Sequence, residues 1–155
     1  MTYSVEVQSE VDVPDQFIDI LEKAAIITLQ KESVPSAALT ILLTDDRRMK
    51  KLNHDFRDMN SSTDVLSFPA GNTQLDLLEG VPYLGDVAIS VPTASKQSQK
   101  SGHTLAAEIQ LLTVHGILHL LGFDHHLTED KAVMWSKQKE ILLALGLRNI
   151  LLTET

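Results

Sequence analysis

The 155-residue chain contains no cysteine, which removes both a disulfide framework and any thiolate zinc site. Aromatic residues are scarce, 5% of the total with a single tryptophan, so the core has to be built from aliphatic side chains. No apolar run reaches the ~20 residues that cross a bilayer. Met1 to Val11 also lacks the basic start and apolar centre of a secretion signal. No membrane partner and a cytoplasmic location are therefore expected. Positive charge is the minority sign: 13 Lys and Arg stand against 21 Asp and Glu, a net charge of -8. That balance argues against broad adhesion to nucleic acid, and no DNA partner is expected. Arg47, Arg48, Lys50, Lys51 and Arg57 still form a local basic group, with Lys96 and Lys100 a smaller second one. For most of them the plainer reading is the solvated face of a helix. The sequence shows no repeat, low-complexity tract or linker, so residues 1–155 read as a single domain.

What the chain does have is concentrated in His115-Gly116-Ile117-Leu118-His119-Leu120-Leu121-Gly122-Phe123-Asp124-His125. Helical residues four apart lie on one face, so His115 and His119 can direct two ring nitrogens at one ion if the segment is helical. Leu105, Ile109, Leu112, Val114, Ile117 and Leu118 recur mostly at three- and four-residue steps, and no proline interrupts 106–121. That spacing predicts the helix. Gly122 stands where a left-handed residue ends a helix and turns the chain back, bringing His125 to the same ion. A lone histidine is more simply a satisfied core or surface residue; three at this spacing read as metal ligands. His126 competes for the third place, but successive residues point in different directions and His125 is the expected ligand. Three neutral imidazoles leave one position of a tetrahedral zinc open, as in catalytic rather than structural sites.

The same spacing occurs in metzincin proteases as H-E-x-x-H-x-x-G-x-x-H. Here the second position is Gly116, and the missing glutamate is the general base of that mechanism, which counts against peptide hydrolysis by that route. Asp124 and Asp86 are candidates for holding a ligand's second nitrogen, beside plainer roles as a turn carboxylate and a strand-end polar residue.

Around the motif the periodicities predict a strand at 3–7, a helix from Pro14 to about 31, and a buried strand at 37–43. A helix capped by Thr44 or Asp45 follows, with Met49, Leu52 and Phe56 facing the core. Next come a short strand at 65–68 stopped by Pro69, a loop or loose hairpin at 70–82, a strand at 84–91, and a polar helix to about Lys100. After the metal-bearing helix, Thr128 is the expected cap of a last helix. Its buried stripe is read as Val133, Met134, Ile141, Leu142 and Leu145, with Trp135 at the edge. Met134 and Trp135 read as packing rather than as a cofactor box. This order predicts an α+β domain: a small mixed sheet of four strands packed with about five helices, the three-His site at the end of a long helix.

Three blocks make the chain resemble the YbeY endoribonucleases, also described as rRNA maturation factors. They are Leu52-Asn53-His54-Asp55-Phe56-Arg57 with Thr63-Asp64-Val65-Leu66-Ser67-Phe68-Pro69, then Leu84-Gly85-Asp86-Val87-Ala88-Ile89-Ser90, then the histidine block. The resemblance implies a single-strand-specific, metal-dependent endoribonuclease acting in maturation of the small-subunit rRNA 3′ end and in late ribosome quality control. It implies RNA, the small ribosomal subunit and associated proteins as partners, and one zinc ion on His115, His119 and His125. It places His115, His119 and Arg57 in the catalytic machinery. A guanidinium stays charged and presents a fork suited to phosphate oxygens, so such a role for Arg57 is chemically sensible. The nucleophile is either water or the RNA 2′-hydroxyl. Two other readings fit the residues: a zinc peptidase or amidase using a different carboxylate, and a non-catalytic ribosome assembly factor with a structural metal.

Overall fold

The structure is a computed structural model that describes residues 2–57, 63–71, 77–78, 80–148 and 150; the side chains of Arg57, Leu77 and Leu78 fall outside that description. Strand β1 (Tyr3–Ser9), helix α1 (Gln16–Lys31) and strand β2 (Ala37–Thr44) open the chain, followed by α2 (Asp46–Arg57). Strand β3 (Val65–Pro69), the two-residue β4 (Leu77–Leu78) and β5 (Val81–Ser90) come next, then α3 (Val91–Ser101), α4 (Leu105–Leu120) and α5 (Thr128–Ala144). The strand order is β1-β2-β5-β3, with β4 paired to the start of β5. β1, β2 and β5 run parallel, whereas β3 and β4 run antiparallel to β5. The architecture is the mixed α+β sheet expected from the sequence.

Strand alternation divides the core. Leu39, Ile41, Leu43, Val87 and Ile89 face α1 and α4, meeting Phe17, Leu21, Ala25, Leu29, Ile109, Leu112 and Ile117. Leu42, Leu66, Phe68 and Ala88 meet Met49 and Leu52 of α2 instead. A third cluster joins Leu111, Val114 and Leu118 of α4 to Met134, Ile141 and Leu142 of α5. Helix α4 thus belongs to two cores, which is why its buried residues surround it rather than form one stripe. Its start is fixed by Thr104, whose side chain accepts from the Ala107 amide. Near it lie two buried acids: Glu108, paired with His103 Nε2 at 2.5 Å, and Asp64 at the entry to β3. Desolvation pushes both carboxyls up.

Several local expectations are corrected. Phe56 is 69% exposed and only lays its ring against Phe68 at 5.4 Å, because the small cluster beneath α2 is already filled by Met49 and Leu52. Val133 is 49% exposed; the buried stripe of α5 runs through Met134, Gln138, Ile141 and Leu142. Leu127, not Thr128, occupies the N-cap of α5, and no side chain caps it. Asp45 caps α2 by accepting from the Arg48 amide. β5 begins at Val81, three residues before the expected start, because β4 pairs with Val81 and Pro82. Among the described residues no helix is long and apolar enough to cross a membrane.

Candidate metal centre

His115 and His119 lie one turn apart in the last two turns of α4. The helix then ends in a Schellman motif: the Gly122 amide donates to His119 O and the Phe123 amide to Leu118 O, both at 3.0 Å. Gly122 takes the left-handed conformation this requires, with φ 101°. The reversed chain is held by Asp124, whose Oδ1 accepts from the His125 amide at 2.7 Å. His125 is thereby carried back to the helix end, and one ligand-type atom from each of the three histidines lies within 4.8 Å of the others. His126 points away, its side chain 81% exposed. His115 is buried while His119 and His125 are half-buried, so the group is open on one side only.

The ring orientations are fixed from behind. His119 Nδ1 donates to the Phe123 carbonyl at 2.9 Å, and His115 Nδ1 donates to Gln138 Oε1 at 2.5 Å. Both rings then turn a proton-free Nε2 toward the shared space, and these two atoms are 3.0 Å apart. Two lone pairs that close repel. A divalent cation between them converts the repulsion into attraction, and two nitrogens on a tetrahedral zinc stand about 3.3 Å apart. Burial, and next the neighbouring His119, push the His115 imidazole down to about 4, so the ring is neutral near physiological pH. The donor set of three neutral imidazoles fits a cation of the zinc, copper or nickel type.

Other residues near the cluster were not evident from the sequence as site residues. Trp135 sets its ring edge-on to His115 and His125, at 5.9 and 5.4 Å between centroids, with Lys131 Nζ over its face at 5.5 Å. Gln138 interrupts an otherwise apolar stripe on α5, and that interruption is the signal that could have marked it. Neither carboxylate considered for orienting a ligand does so: Asp86 accepts a short hydrogen bond from the Tyr83 hydroxyl, and Asp124 serves the turn. Gly116 faces the sheet, not the histidine side; its carbonyl accepts from Ser67 Oγ at 2.8 Å. Of Arg57 the backbone is the last residue of α2, and its side chain lies outside the described residues.

Fold and cluster together define a small α+β protein with a three-histidine group, able to hold a metal ion, at the end of a buried helix. The profile of the family described as Endoribonuclease YbeY matches residues 4–146. A relative from Carboxydothermus hydrogenoformans bearing that name is 39% identical over 147 residues, 95% of this chain and 99% of its own. One from Geobacillus thermodenitrificans with the same name is 37% identical over 154 residues, 95% and 99% of the two chains. The chain belongs to the YbeY endoribonuclease family. A solution structure from Thermotoga maritima shares the fold, with a TM-score of 0.63 at 22% identity, covering 91% of this chain and 88% of the other.

Proposed function

We propose that residues 1–155 form one metal-dependent endoribonuclease domain that cuts single-stranded RNA in the cytoplasm. Its place is maturation of the small-subunit rRNA 3′ end and late ribosome quality control, with the small subunit and its associated proteins as partners. Membership of the family supports the reaction class. The observation that carries the site is the convergence of His115, His119 and His125, with the first two rings anchored through Nδ1.

In this reading the three histidines hold one zinc ion, and when bound it supplies a Lewis acid at the scissile phosphodiester. The chain's own residues do the rest. His115, buried and neutral, forms the closed wall of the centre, while the half-buried faces of His119 and His125 leave the side by which RNA enters. Arg57 grips a non-bridging phosphate oxygen and offsets charge that builds there in the transition state. Gly116 supplies no side chain, so the position after His115 offers no general base. The same fact disfavours a peptidase.

The deciding experiment assays a defined single-stranded RNA with wild type and the single His→Ala variants, beside metal analysis of each. Cleavage with one equivalent of zinc in wild type, and neither in the variants, is the expected pattern. Undiminished cleavage by His119→Ala would sink the catalytic reading and leave a contaminating nuclease or a non-catalytic assembly factor.

A further inference from the structure

Gln138 stands two turns from the end of α5, on a stripe otherwise made of Met134, Ile141 and Leu142, and is 0% exposed. Burying an amide among apolar neighbours costs desolvation, and here that cost is only half relieved: its Nε2 has no hydrogen-bond partner among the described residues. A leucine would pack as its neighbours do. What the glutamine adds is a single contact, Oε1 against His115 Nδ1 at 2.5 Å. Trp135 meets the His115 ring edge-on, and an indole nitrogen can only donate, so it cannot accept that ring proton.

We infer that Gln138 is a positioning residue: its side-chain oxygen holds the proton of His115 on Nδ1 and so aims Nε2 at the cation. The inference rests on the metal reading of the cluster. Its chemical sense lies in the amide being neutral. A carboxylate in the same place would fix the proton equally well but add a negative charge beside the centre. An amide leaves the full positive charge of a cation on three neutral ligands to face an anionic phosphodiester. Helix α5, which begins three residues after His125, thus becomes part of the site.

The test replaces the acceptor and restores it. Gln138→Met keeps the length of the side chain without an amide oxygen, Gln138→Leu does so with a branched chain should the first not fold, and Gln138→Glu returns an acceptor. Nitrogen-detected NMR of the metal-free protein at neutral pH reads the His115 tautomer, and chelator competition with Zn²⁺ reads affinity. Expected are an Nδ1-protonated ring in wild type and Gln138→Glu, a mixed or reversed tautomer in the apolar variant, and zinc affinity in that variant lower by roughly 10–100-fold. Retention of the wild-type tautomer and affinity by the folded apolar variant would overturn the inference. If wild type itself takes up no zinc, the metal reading fails, while the tautomer measurement still judges Gln138.

Discussion

At Gly116 an added Cβ would come 2.6 Å from Val87 Cγ1 and 3.2 Å from Ser67 Oγ. Helix α4 lies so close to the sheet that only backbone fits between them. Gly116→Ala is therefore expected to cost about 1–3 kcal/mol, read as a lower urea midpoint. Arg57→Ala should reduce cleavage by at least about 100-fold while zinc content and Tm stay near wild type; a fully active variant would remove that residue from the site. The lowered His115 value has a pH consequence. The unfolded chain takes up a proton near 6.5 and the folded one only near 4, so stability from this ring is complete above 6.5 and is lost as pH falls through that window. For the metal-free protein the loss is on the order of 3 kcal/mol at most. It is measured as the difference in denaturation midpoint between wild type and His115→Gln, since Asp64 and Glu108, with raised values, titrate in the opposite sense. At this scale His115 and His119 were legible because their spacing encodes a shared helix face, and His125 because Gly122 marks the bend that returns it. Gln138 was not, because nothing in a linear sequence says which buried polar residue will meet which ring.

Among the elements, α4 and its turn were the most legible: apolar spacing, the absence of proline and Gly122 all point the same way. Gly122→Ala should therefore harm both stability and metal binding. The added side chain meets no atom within 4 Å, yet a φ of 101° disfavours it by about 1–2 kcal/mol. Zinc affinity measured by chelator competition is expected to fall, and unchanged affinity would show that the bend tolerates relaxation without moving His125. The ends of α2 and α5 were less legible. Phe56 has helical spacing with Met49 and Leu52, but periodicity records direction around the axis and not how far the neighbouring surface extends along it. Likewise Thr128 has the chemistry of a cap, yet the chain enters α5 one residue earlier.

For the molecule as a whole, the strand and helix order followed from alternation and amphipathic spacing, whereas the sheet order β1-β2-β5-β3 depends on long-range pairing that local pattern does not carry. Most of the burial lies in apolar clusters away from the histidines. Chelation is accordingly expected to abolish cleavage and lower Tm by the lost binding energy while leaving a cooperative unfolding transition. Loss of that transition on adding chelator would mean the ion is structural.

The bend after α4 also leaves no slack. Phe123 supplies the carbonyl that steadies one ring, and two residues later the backbone delivers another ring outright. Inserting a single amino acid just after Gly122 would unseat both together, so the chain length at this corner is constrained as tightly as the identity of any residue within it.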